Sequence, residues 1–497
     1  MERLSGLDTS FLHLETPRVH MHVGMAAVLD PADMPGGYSF RRVADYIADR
    51  VARHREFRRR LVRVPFDLHH PVWVDDPDFD VIHHVRQVAL PKPGGLREFG
   101  AMVGRISSTP LDRSRALWEA WVIEGLEDGR FGLMLKLHHA AVDGVSGARF
   151  LMHFLEPSPT PQALPPPPLH AAEALPNDAQ LVAHAIRSRL GQPVQGARVL
   201  ARTLRNYGLV VGRQLLSQEP AGGRPLRAPH APFNASVSAR RNLAMTRVPL
   251  SEIKQIKRVL GVTVNDVVLA IAGGALRSYL KRRNALPSDS LTAVCPISVR
   301  TETEMGDMNN KVSAMWSTLG THLADPLERV RLISQVTASA KVEHHVMGAD
   351  MLQEWAELAA PNMLRFAVRF YCDTRLADRH RPIHNLVLSN VPGPRVPLYL
   401  AGAKLEAVYP MGPVMEGAGL NLTVISYLDS MDFGFFVDDE LVPDVWGLAA
   451  DTNAAFAEIR AAALGPVAGP CDARAEETRA YASSPCYQHE LEGDSRD

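Results

Sequence analysis

Residues 157–176, PSPTPQALPPPPLHAAEALP, hold eight of the chain's 37 prolines. Each proline fixes φ near its own narrow value and removes a backbone donor, so a run this dense excludes both a helix interior and a central strand. In a chain of 497 residues, too long for one ordinary core, such a break reads as a linker between two domains. A helical segment over about 177–217 follows, and EPAGGRPLRAPHAPF at 219–233 breaks the chain again. The expected organisation is a first domain over 1–156, a linker and helical connector over 157–236, and a second domain over 237–464. From 465 to 497 the chain is polar and aperiodic; burial there cannot offset the entropy of ordering, which predicts a disordered tail carrying Cys471 and Cys486.

Both halves mix helix and strand. Val43, Ile47 and Val51 recur at helical spacing, as do Leu96, Phe99, Val103 and Ile106, whereas FGLMLKLH at 131–138 alternates at period two. In the second half, Leu250, Ile253, Ile256 and Leu260 share a helix face, with Ser251 expected as cap and Gly261 as terminator. DPLERVRLISQV offers another start, with Asp325 as cap and Pro326 at the first helical position. LTAVCPISV, NLVLSNV, LNLTVISYL and MDFGFFV read as strands. The expected class is α/β throughout, without tandem short repeats.

Charge excludes some functions. With 54 basic and 55 acidic residues the net charge is -1, so no global field attracts nucleic acid, and none is expected as a partner. RHREFRRRLVR at 53–63 packs six arginines into eleven positions; it reads as a solvated basic face before a site for CoA phosphates or anionic lipid. Four cysteines without close pairs (Cys295, Cys372, Cys471, Cys486) suggest neither a disulfide framework nor a zinc ribbon, and a reducing cytoplasm fits. The N-terminus lacks the pattern of a signal peptide, and no apolar run is long enough to span a bilayer, so a soluble or peripheral protein is expected.

The chemistry concentrates in FGLMLKLHHAAVDGVSG, 131–147. On a strand, Phe131, Leu133, Leu135, Leu137 and His139 face one side while Met134, Lys136 and His138 face the other, so only one histidine can enter a given site. That geometry and the absence of HExxH spacing argue against a metal site. His69-His70, His83-His84 and His344-His345 are also pairs, but only His138-His139 precedes Asp-Gly, at Asp143-Gly144. The residues alone leave two readings: a catalytic histidine at a strand end, or a capped turn beside a buried histidine.

HHAAVDG is similar to the HHxxxDG signature of the CoA-dependent acyltransferase superfamily. Across nearly the whole folded length the chain resembles the bacterial wax ester synthase/diacylglycerol acyltransferase family. The resemblance is carried by LSGLDTSFLHLETP at the start, PLDRSRALWE at 110–119, HHAAVDG, VNDVVLA at 264–270, PISVR at 296–300, SNVPGP at 389–394 and GLNLTVISY at 419–427. One departure stands at Ala116, where the family has proline before Leu-Trp.

The resemblance implies two α/β domains of the chloramphenicol acetyltransferase type, with a tunnel at their interface. It implies acyl transfer from acyl-CoA, as substrate with no cofactor, to diacylglycerol or a fatty alcohol, giving triacylglycerol or wax ester. His139 would be the general base, its imidazole pKa near working pH, acting without a covalent acyl-enzyme. His138 and Gly144 belong to the same signature; Asp143 would anchor the turn by pairing with Arg300. Asn265 reads equally as a helix cap or a tunnel donor, Asp266 could cap as well, and Ser389 and Asn390 close a strand where turn formation competes with a donor role. Other readings are transfer from a carrier-protein thioester, hydrolysis, for which the GxSxG elbow is lacking, and a catalytically silent lipid-binding protein. The substrates place the enzyme peripherally on the inner face of the membrane or on lipid bodies, with residues 177–217 as the docking candidate against a plain packing helix. Oligomeric state is open.

Overall fold

The computed structural model describes residues 2–141, 153–161, 176–189, 198–199, 201–202, 205, 228–298, 312–347 and 361–465. Its strands are β1 (Glu2–Arg3), β2 (His22–Asp30), β3 (Arg59–Val62), β4 (Val72–Asp75), β5 (Val85–Ala89), β6 (Trp118–Glu124), β7 (Phe131–His138) and β8 (Arg241–Pro249). They continue with β9 (Thr292–Ser298), β10 (Val312–Thr318), β11 (Leu386–Val391), β12 (Tyr399–Leu400), β13 (Ala403–Met411), β14 (Leu420–Tyr427) and β15 (Ser430–Asp438). The helices are α1 (Gly6–Leu14), α2 (Phe40–Arg53), α3 (Leu96–Ser107), α4 (Asp178–Arg189), α5 (Leu250–Leu260), α6 (Val264–Arg282), α7 (Pro326–Met347), α8 (Pro361–Asp373) and α9 (Val445–Leu464).

Two six-stranded mixed sheets organise the molecule, in the orders β12-β13-β2-β7-β6-β5 and β10-β9-β11-β14-β15-β8. Chain position and sheet membership part company at β13, which pairs antiparallel with β2 in the first sheet although it lies far into the second half of the sequence. A small third sheet joins β1, β4 and β3.

The halves meet where α3 lies on β8. A Cβ at Gly100 would stand 2.0 Å from the Leu243 carbonyl oxygen, and one at Gly104 2.3 Å from that of Arg241, so only glycine lets helix and strand approach this closely. Phe99, Val103 and Ile106 of α3 share a buried cluster with Leu243, Met245 and Phe436 of the second sheet.

Local readings mostly follow. Asp325 caps α7, its carboxylate accepting the N–H groups of Leu327 and Glu328, both at 2.8 Å. Gly261 ends α5 in the left-handed region at φ 68. The cap of α5 is corrected: Ser251 lies inside the helix, and Asp429 of the β14–β15 turn accepts its backbone N–H and its hydroxyl, each at 2.8 Å. A tertiary neighbour thus replaces the local cap.

The basic run at 53–63 is largely neutralised within the molecule. Arg53 pairs with Asp49 and Arg55 with Asp75, at 2.8 and 2.7 Å, while Arg59 meets Glu2. Arg60 lies 3.5 Å from Asp76. Among the described residues, no single helix is long and apolar enough to cross a membrane. Most of the Pro-rich linker, most of 190–227 and the tail beyond Gly465 lie outside the described residues.

Candidate active site

Strand β7 delivers the histidine pair. All eight of its residues are buried, so both faces are covered, rather than one face being wet as alternation alone suggests. It pairs with β2 in a register that sets His138 opposite His22. The strand ends at His138 and a short 3-10 turn begins at His139.

His138 is fully enclosed and structural in its bonding. Its Nδ1 accepts the N–H of Ala140 at 3.1 Å, which places the ring proton on Nε2, and Nε2 donates to Glu15 at 3.1 Å. Glu15 also receives the guanidinium of Arg113, whose Nη2 bonds the Leu12 carbonyl at 3.0 Å. Burial opposes ionisation of Glu15, but the His138 hydrogen bond and the Arg113 charge outweigh it and lower its pKa to about 2. Burial also lowers the pKa of His138, against the pull of Glu15, so the ring is neutral near pH 7.

His139 faces differently. Its backbone N–H donates to the Met21 carbonyl at 2.9 Å, and its ring lies against Phe11, centroids 3.9 Å apart and planes tilted by 32°. The residue is partly exposed, yet Nδ1 is sealed and has no hydrogen-bond partner among the described residues. Burial lowers its pKa to about 4; its own main-chain carbonyl works against this and His138 with it. The imidazole is therefore a neutral acceptor at ordinary pH.

Glu15, Arg113 and Phe11 are the residues that the spacing around the histidines could not supply. All three fall in the N-terminal and 110–119 segments that carry the resemblance. Lys136, buried beside this network, holds Glu119 at 3.1 Å and the carbonyls of Ile106 and Thr109 at 3.2 and 3.0 Å. A buried lysine must find such partners, and nothing in FGLMLKLH announced them.

Among the other expected site residues, Asp143, Gly144 and Arg300 lie outside the described residues. Asn265 is not the cap of α6. Thr263 caps it, its hydroxyl accepting the Asp266 N–H, while the Asp266 carboxylate accepts the Thr263 N–H at 2.9 Å. The box needs an acid at the third helical position, which Asp266 occupies and Asn265 does not. Asp266 is buried and also accepts the Thr337 hydroxyl at 2.7 Å, tying α6 to α7. Asn265 instead approaches Asn390, at 3.4 Å, so these two expected donors meet at the end of β11. Ser389 is half-buried beside them, opposite Thr423 of β14. None of these four shares a hydrogen bond with His139 among the described residues.

His54, Glu56 and His153 are the described residues best placed to hold a cation, their ligand atoms within 4.8 Å of one another. The two imidazoles already bond each other at 3.2 Å, and Glu56 stands 3.3 Å from His54, so the cluster is also satisfied internally.

The site is thus a histidine pair at a strand end, braced from two segments distant in sequence. The family model described as the wax ester synthase/diacylglycerol acyltransferase catalytic domain matches residues 4–268, and that of the WS/DGAT C-terminal domain matches 308–460. The chain belongs to the wax ester synthase/diacylglycerol acyltransferase family. A protein of Mycobacterium tuberculosis named putative diacylglycerol O-acyltransferase is 37% identical, over 92% of this chain and 90% of its own length. Another of that name from the same species is 35% identical, over 93% and 98%. The solved structure of the wax ester synthase/diacylglycerol acyltransferase from Marinobacter aquaeolei superposes with a TM-score of 0.68 at 29% identity, covering 93% of this chain and all of that one. A trichothecene 15-O-acetyltransferase from Fusarium sporotrichioides, at 12% identity and a TM-score of 0.54, shares the fold alone. For this WS/DGAT family member, the two-sheet α/β architecture is thus the family's own.

Proposed function

We propose that this protein transfers an acyl group from acyl-CoA to the free hydroxyl of diacylglycerol, and that His139 is the general base. The observation that carries the reading is the His139 ring: neutral, partly exposed, sealed at Nδ1 and held under Phe11 at the end of a fully buried strand. With Nδ1 sealed, the acceptor hydroxyl can reach only Nε2, so the working base is the tautomer that carries its proton on Nδ1 and keeps the Nε2 lone pair free. As Nε2 takes that proton, the alcohol oxygen attacks the thioester carbonyl, and the imidazolium returns the proton to the departing CoA thiolate. Direct transfer of this kind needs both substrates bound together, which an inter-domain tunnel would provide.

Fatty alcohols are the second acceptor class, chosen by the length of the acceptor channel. Because both acceptors are membrane-borne, the protein works as a peripheral enzyme at a lipid surface. Asn265 and Asn390 lie at the start of α6 and the end of β11, where they can serve as substrate donors, and the Asp143 turn would be anchored by Arg300.

His139→Ala tests the base. Transfer of labelled acyl groups from acyl-CoA to diacylglycerol should fall by about 10²–10⁴, the usual worth of a positioned base, while acyl-CoA binding measured separately is kept. Undiminished turnover in that variant would remove His139 from the chemistry, and absence of any transfer by the wild type would point to the silent lipid-binding alternative.

A further inference from the structure

Of the eleven large apolar side chains exposed on the described surface, five, including every phenylalanine among them, lie on segments that touch one another. All three strongly exposed phenylalanines, Phe66 at 87%, Phe366 at 72% and Phe370 at 53%, belong to two segments that touch. Phe366 and Phe370 are one turn apart on α8, their rings 6.4 Å apart and near-parallel. On a helix of a soluble domain that outward face is normally polar.

Phe66 sits in a bend where two successive non-glycine residues, Phe66 at φ 59 and Asp67 at φ 50, adopt the left-handed conformation. Side-chain-bearing residues avoid that region, and such a bend persists where its surroundings hold it. Here the holder is α8: Arg365 pairs with Asp67 at 3.1 Å. Since Asp67 follows Phe66 and Arg365 precedes Phe366, the ion pair sets both aromatic groups in the same stretch of surface. Leu68 is 40% exposed next to the bend, and α4, which packs against the bend, adds Ile186 at 57%.

Charge completes the pattern. From 365 to 381 the chain carries five arginines against Asp373 and Asp378, and Arg369, Arg379 and Arg381 are exposed. Apolar tips interleaved on one helix with Arg365 and Arg369, and followed along the chain by Arg379 and Arg381, suit the boundary between acyl chains and anionic headgroups. The patch also adjoins the candidate active site. Helix α8 packs on α1, which carries Phe11 over the His139 ring, and His13 of α1 feels the charges of Arg365 and Asp67.

We infer that Phe66, Phe366 and Phe370, with the arginines of α8 and the segment after it, form the face by which this protein docks on an anionic bilayer, next to the entrance used by the acceptor lipid. The choice of occupant rests on the acyltransferase reading above, since diacylglycerol resides in such a bilayer. Docking there delivers the acceptor from the membrane to the α1 side of His139 without release into water.

The test uses the full chain and the variant Phe366→Ala/Phe370→Ala, whose positions are exposed and outside the candidate site. Binding is measured by flotation with vesicles of equal parts phosphatidylcholine and phosphatidylglycerol, and with phosphatidylcholine alone. The wild type should bind the mixed vesicles, less so at high salt, and the variant should bind at least about tenfold more weakly, the worth of withdrawing two aromatic side chains from the interface. The variant should lose transfer to diacylglycerol in vesicles and keep transfer to diacylglycerol in detergent micelles. Vesicle binding equal to wild type overturns the docking face. So does a fall in the protein's mass in solution on substitution, which would make the patch a contact between copies. If the wild type docks through these phenylalanines but transfers to neither form of acceptor, the docking face stands and the acyltransferase reading fails.

Discussion

Glu15 and His138 share a hydrogen bond of 3.1 Å across 123 residues of chain, and through it the end of the first helix braces the strand that presents the histidine pair. The same carboxylate holds Arg113, so one acid joins three segments distant in sequence. Removing it leaves the Arg113 guanidinium with the Leu12 carbonyl but no countercharge from Glu15, and the His138 N–H without its acceptor. Glu15→Ala should cost about 2 kcal/mol of stability, the scale of a lost charge-assisted hydrogen bond with its partners stranded. Glu15→Gln, which keeps an acceptor oxygen for His138, should cost less and retain more activity. Thermal unfolding and turnover on the two variants measure this; equal and negligible effects would show that the brace is idle.

The acid limb of activity should lie low. His139 has a pKa of about 4 because burial disfavours its cation, so the base stays available well below the ordinary histidine range. The kcat/KM profile should remain level from neutral pH and fall only as the pH nears 4. Phe11→Ala, by opening the ring to water, should move that limb upward toward 6.5. A wild-type midpoint at 6.5 would contradict the assignment. Stability has the same sign: His13, His139 and His384 all have folded pKa values lowered to about 4 from 6.5. Their unfolded forms take up protons first, so stability is intact above 6.5 and declines as the pH falls from 6.5 toward 4. Calorimetry across that interval checks it.

Gly100→Ala and Gly104→Ala should each destabilise the protein by about 1–3 kcal/mol, the usual cost of overpacking. The obstacles are backbone oxygens of β8, at 2.0 and 2.3 Å from the added carbon, which cannot swing away as a side-chain tip could. Denaturant titration should show a lower midpoint for both. Wild-type stability in either would mean that α3 does not sit this close to β8.

Asp429→Ala should loosen the start of α5 by about 1 kcal/mol, the typical worth of an N-terminal cap. Ser251→Ala should cost less, because the Asp429 bond to the Ser251 backbone N–H remains. Ranking the two melting temperatures distinguishes this cap from the local serine cap that sequence spacing suggests.

How much was legible follows from range. The helices over 40–53 and 96–107, the 131–138 strand, the Asp325 cap and the Gly261 stop depend on residues within a turn or two of each other, so periodicity and capping chemistry reveal them. The histidine pair was legible because its motif is contiguous. The partners of His138 and His139 were not: Glu15 lies 123 residues from His138, and no local pattern records which carboxylate a buried imidazole will meet.

The amino-acid order by itself therefore determined the local elements, the α/β class and the family signature, all written in neighbouring residues. Tertiary structure alone decided that β13 joins the first sheet, that Asp429 rather than Ser251 caps α5, that Lys136 is buried against Glu119, and that Phe11 and Glu15 converge on the histidines. The physical reason is that burial and hydrogen-bond satisfaction are properties of the whole packed molecule. A buried polar group takes whichever partner folding brings near, and that choice is not encoded at its own position.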